Sequence, residues 1–111
     1  MAYNEALANR TRKVLARKRG ITEKAMFGGL SFLLNGKMVC GILKNDLVVR
    51  AHPNESDTLL KKPHVRLMDF TGRPMKGFLY VGPGGYKTDR NLREWVERGL
   101  EFVSSLSAKG Q

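Results

Sequence analysis

The residues of this 111-residue chain that could do chemistry are few and scattered. Cys40 is the single cysteine, so no intramolecular disulfide can form. A catalytic thiol needs a base or cation beside it to make the thiolate. Cys40 lies instead in an apolar run, which predicts a small core residue. His52 and His64 are the only histidines, and neither has the neighbouring Cys, His or carboxylate ligands of a zinc site. Gly82-Pro83-Gly84-Gly85-Tyr86 invites comparison with phosphate-cradling loops, but it has neither the lysine spacing of a Walker motif nor the glycine spacing of a dinucleotide fingerprint. It reads as an irregular loop. Asp69 stands near Arg73 and Lys76 without a second carboxylate placed for acid–base work, and a turn or ion-pair contact is expected of it. These patterns predict no catalytic residue, no metal site and no cofactor, and therefore a protein that is not an enzyme.

Charge is the more pronounced signal. The formal net charge is +10 and the pI about 10.2, which favours polyanions because neutralising phosphates releases counterions. Residues 1–20 hold six basic side chains against Glu5, a net charge of +5 and half of the whole excess. Arg10, Lys13 and Arg17 share one helical stripe, with Arg12, Lys18 and Arg19 beside it. Such a density can hold phosphates without reading bases. The same pattern also makes a solvated face whose side-chain stems shelter the edge of a core. No aromatic residue interleaves the stripe, so it is not a stacking platform for single strands.

The elements that must position these residues follow from periodicity. A helix is expected over 4–18, with Tyr3, Leu7, Thr11, Val14 and Leu15 on one side and Gly20 as its stop. From about Lys24 to Ala51 the chain reads as a β-meander. Met26-Phe27-Gly28-Gly29 runs into a bend or bulge, and strands follow over 30–34, 37–43 and 47–51. Asn35-Gly36 marks a tight type I′ hairpin turn, because both positions tolerate positive φ. Strict alternation places Met38, Cys40 and Ile42 on one face and Val39, Gly41 and Leu43 on the other. A short helix capped by Asn54 or Ser56 runs to 61 or 62, and strands are expected over 65–70 and 78–81. The closing helix takes Asp89 as N-cap and carries Leu92, Trp95, Val96, Gly99, Leu100 and Val103 as its apolar stripe. Arg93 with Glu97, and Glu94 with Arg98, are spaced to pair on its outer side.

A chain of this length supports a single core. The expected architecture is α+β: an antiparallel meander of about five strands flanked by N-terminal and C-terminal helices. The domain spans 1–106, followed by a frayed tail over 107–111. One cysteine and no apolar signal core at the N-terminus fit a reducing cytoplasm. The longest apolar clusters, such as Phe32-Leu33-Leu34, are too short to span a membrane.

Two stretches carry a resemblance. Met26-Phe27-Gly28-Gly29-Leu30 and Met68-Asp69-Phe70-Thr71-Gly72-Arg73-Pro74-Met75-Lys76-Gly77 are similar to the signature stretches of the TfoX (Sxy) N-terminal domain family. The tail from Leu92 through Trp95, Val96 and Leu100 to Val103 resembles that family's closing helix. The likeness covers Tyr3 to about Leu106. It implies a central antiparallel sheet with terminal helices, akin to secretion-chaperone-like folds. It further implies kinship with regulators of competence for DNA uptake that act with a cyclic-AMP receptor protein. The sequence has no counterpart of the C-terminal domain of those regulators, so a single-domain member is expected. The family motif assigns no catalytic residue.

Two binding surfaces are expected from these readings. Met26, Phe27 and Met75 with Arg73 and Lys76 would form a protein-binding patch if exposed together, and structural turns and core if not. The leading expectation is a non-enzymatic regulatory or adaptor domain that binds another protein there. The alternative is a nucleic-acid-binding protein that uses Arg10, Arg12, Lys13, Arg17, Lys18 and Arg19.

Overall fold

The computed structural model describes residues 3–26, 28–68 and 75–108, excepting the side chains of 26, 53, 56, 68, 75, 76 and 106–108. Helix α1 spans Glu5–Leu15. Its N-cap is Asn4, whose side-chain oxygen accepts from the Leu7 amide at 3.0 Å and satisfies a donor that the helix start leaves free. Leu7, Ala8, Thr11 and Leu15 are buried, as the spacing predicts. Thr11 keeps its hydroxyl in the core by donating to the Leu7 carbonyl at 2.9 Å. The helix ends three residues before the expected boundary at 18, and Gly20 follows at φ +85°, a left-handed conformation that glycine adopts without strain.

Six strands follow: β1 Ile21–Met26, β2 Gly29–Leu34, β3 Lys37–Leu43, β4 Asp46–Arg50, β5 Val65–Met68 and β6 Met75–Val81. They form one sheet in the order β1-β2-β3-β4-β6-β5, with every pairing antiparallel. The turn between β2 and β3 is the expected one, with Asn35 at φ 52° and Gly36 at φ 83°. The first strand begins at Ile21 rather than near Lys24. It lies at the sheet edge with Thr22, Glu23, Lys24 and Ala25 exposed, so its composition carries little of the apolar alternation that marks an inner strand. The short helix α2 covers Ser56–Leu59, behind a 3-10 turn at Pro53–Glu55, and stops before Lys61.

The face assignment along β3 needs one correction. Phe32 pairs with Cys40 and Leu33 with Met38, so Val39 is an extra residue opposite a single step of β2. A bulge of this kind breaks the two-residue alternation. Val39 therefore joins Cys40 and Ile42 in the main core, while Met38 turns to the other face and packs with Val48 and Tyr80.

Helix α3, Asp89–Ala108, closes the fold. Leu92, Trp95, Val96, Gly99 and Val103 are buried, with Leu100 partly so. Gly99 is required by close approach, because a Cβ there would lie 2.4 Å from the Val39 carbonyl oxygen. The N-cap is Thr88 rather than Asp89: its hydroxyl oxygen accepts from the Asn91 amide at 3.0 Å and its carbonyl from the Leu92 amide at 3.0 Å. The charge pairs are also redistributed. Glu94 meets Arg90 at 3.6 Å, and Arg98 reaches Glu55 at 3.7 Å. No helix among the described residues is long and apolar enough to cross a membrane.

Candidate functional site: a cationic groove between α1 and α3

The six cations expected to act together are divided by their neighbours. Arg10 points to the segment that leads into α3. Its Nη2 donates to the Tyr86 carbonyl at 2.9 Å, the Lys87 carbonyl at 3.1 Å and Asp89 Oδ1 at 3.3 Å, and the guanidinium lies 5.8 Å from the Tyr86 ring centroid. Those carbonyls precede a helix and need donors, so Arg10 is a strut between the two helices. Arg12 grips Glu23 of β1 with two hydrogen bonds of 2.7 and 2.8 Å and donates a third, of 2.7 Å, to Asn9. The Arg12 hydrogen bonds hold the Glu23 carboxyl below its ordinary pKa, and the same bonds raise that of Arg12.

Lys13, Arg17 and Lys18 remain available. Together with Arg93 from α3 they line a groove of about 530 Å³ whose other walls are Val14, Leu100 and Glu97. Among the described residues none of the four cations forms a salt bridge. Four cations thus face one carboxylate, Glu97, across partly buried apolar side chains. Lys13 lies in the last turn of α1 and Arg17 two residues beyond its end, and both border the groove. Arg19 is exposed on the turn after α1 and does not line the groove. Sequence spacing missed Arg93, because pairing at four residues assigned it to Glu97. What reveals it is that α3 packs beside α1.

Cys40 is fully buried, and desolvation pushes its thiol up to about 12, so it is a core residue that resists forming a thiolate. Among the described residues no group of His, Cys, Asp and Glu is arranged to hold a metal ion. Glycines 84 and 85 make room for neighbours. A Cβ at Gly84 would meet the His64 ring at 2.5 Å, and one at Gly85 would meet Val81 at 2.5 Å. Phe27 and Arg73 lie outside the described residues. Met26, Met75 and Lys76 belong to strands, but their side chains also lie outside what is described.

The architecture is that of a small α+β domain with a groove lined mainly by cations. The chain belongs to the TfoX N-terminal domain family, whose model matches residues 13–103. At the level of the family it is a regulatory or adaptor-type domain. A comparison with curated proteins gives no match.

Proposed function

We propose that this chain is a non-enzymatic cytoplasmic regulatory or adaptor domain that captures an acidic, apolar-punctuated segment of a partner protein in the groove between α1 and α3. The observation that carries the reading is the combination of four cations without a salt bridge among the described residues and an apolar floor made by Val14 and Leu100. Carboxylates of the partner meet the cationic rim while its apolar side chains cover the floor, which gives both orientation and buried area. Duplex nucleic acid fits less well. Arg10 and Arg12 are engaged within the domain. Fewer free cations mean fewer phosphates neutralised.

The test is a titration of the purified chain with a fluorescent peptide of alternating Glu and Leu, beside a duplex DNA of equal charge, at low and moderate salt. The peptide is expected to bind, and reversal of Arg17 and Arg93 to Glu to weaken it by about tenfold or more. Absence of peptide binding at low salt, or binding indifferent to that reversal, overturns the groove assignment. Tighter binding of DNA through the same residues replaces the protein partner with a nucleic acid. Loss of peptide binding in an Arg73→Glu/Lys76→Glu variant alone moves the site to the signature loop.

A further inference from the structure

A second concavity lies between the turn before β5, the glycine loop and the outer flank of α3. It encloses about 210 Å³, and its lining includes Lys62, His64, Gly84, Asn91, Trp95 and Arg98. The Trp95 indole and the His64 backbone are held by hydrogen bonds. Trp95 Nε1 donates to the Gly85 carbonyl at 3.0 Å, which leaves the indole one orientation. The His64 ring lies against Gly84 so closely that no Cβ fits between them. His64 itself sits at φ 69°, in the left-handed region, where a side chain costs energy. The Gly82 amide donates to its carbonyl at 2.8 Å and holds it there. Strain retained at a cleft wall is the arrangement expected where the wall has a task.

The polar groups around these walls are mostly donors. The Thr88 hydroxyl donates to Asn91 Oδ1, so the Asn91 amide nitrogen keeps its donor capacity. Arg98 lies 5.8 Å from the Trp95 ring centroid and contacts Glu55 only at 3.7 Å, with both side chains substantially exposed. A pair of that kind is weak, and a better-placed carboxylate displaces it. Lys62 adds a second cation. The one carboxylate on the rim, Glu94, is held 3.6 Å from Arg90. Two aromatic walls with cations and an amide donor at their edge suit a flat anion, and the small volume limits that anion to a single ring.

We infer that this cleft is a binding site for a small aromatic carboxylate, its ring between the Trp95 and His64 side chains and its carboxylate on Arg98, Lys62 and Asn91. The site is separate from the groove between α1 and α3 and does not depend on that reading.

Trp95 is the sole tryptophan, so its fluorescence reports on the cleft directly. Benzoate and acetate are the probes, titrated at constant ionic strength. Benzoate is expected to give a saturable change with a Kd on the order of 1 mM, and acetate a response at least about tenfold weaker because it lacks the ring. The Lys62→Gln/Arg98→Gln variant is expected to weaken benzoate by about tenfold. Gly84→Ala, whose Cβ would displace the His64 ring, is expected to abolish binding, while Arg17→Glu leaves it intact. A non-saturating benzoate response, equal responses to benzoate and acetate, or unchanged affinity in the Lys62→Gln/Arg98→Gln variant overturns the inference. The last variant alters only exposed and half-buried side chains, so it tests the site even if Gly84→Ala does not fold.

Discussion

Helices α1 and α3 cover the same face of the sheet but hold their charges in opposite ways. The segment through α1 is overwhelmingly basic in sequence, yet Arg10 and Arg12 are committed to carbonyls and to Glu23, which removes them from the outward field. Helix α3 is almost balanced along its length, yet its charges sort in space. Arg93 turns toward α1 and completes the cationic groove. Toward its other flank Glu94 and Glu101, with Glu55, His52 and Arg98, line a concavity of about 750 Å³, and Glu97 borders both this concavity and the groove. A segment's net charge therefore predicts neither its surface nor its partner. Which cations remain free depends on the carbonyls and carboxylates that the fold brings within reach.

The largest effect that tests this comparison lies in the layer that both helices seal. Cys40 sits beneath them, its thiol raised from the usual 9.0 to about 12 by burial. Alkylation by iodoacetamide at pH 8 is expected to be at least about a thousandfold slower in the folded protein than in urea, since thiolate falls tenfold per pKa unit. A fast native rate would show that one helix lifts away. The same shift sets a pH dependence. The folded value lies above the unfolded one, so the stability gained by keeping the thiol neutral is full below about pH 9 and is lost as pH rises toward 12. Urea melts across that window check the sign.

Next comes the seat of α3 itself. Gly99→Val places side-chain atoms against the Val39 backbone and is expected to cost about 3 kcal/mol in denaturant unfolding. If the variant is as stable as the parent, α3 does not rest directly on the β3 bulge. In and just after α1 the two kinds of cation should separate by stability. Arg10→Ala is expected to cost on the order of 1–2 kcal/mol through the unsatisfied carbonyls, whereas Arg17→Ala stays within about 0.5 kcal/mol. Equal costs would erase the distinction between strut and free cation. The smallest effect belongs to Glu23→Gln, about 0.5 kcal/mol, because the pair with Arg12 is substantially exposed. The folded Glu23 pKa lies below its usual 4.5, so this contribution is present above that pH and lost as pH falls through the depressed value.

Much of the fold was legible in local patterns. Asn35-Gly36 announced its turn, and the stripe from Leu92 to Val103 announced the buried side of α3, because both depend on neighbours a few residues away. The edge strand β1 was shortened by its polar outer side. The bulge at Val39 was invisible, since alternation within β3 holds no record of the extra residue that β2 leaves unpaired. The candidate site was half legible. Lys13, Arg17 and Lys18 stood out as cations, but nothing near Arg10 or Arg12 in sequence showed that Tyr86, Asp89 and Glu23 would engage them.

By itself the sequence determined an α+β domain with one core, an amphipathic first and last helix, and a basic excess concentrated at its start. These are properties of composition and of periods of two and 3.6 residues, which short stretches carry alone. Packing settled which cations are struts and which are free, that Arg93 belongs to the groove, and that Trp95 and His64 line one cleft. Those outcomes rest on contacts between residues far apart in the chain. They exist only once α3 has docked against β3 and beside α1.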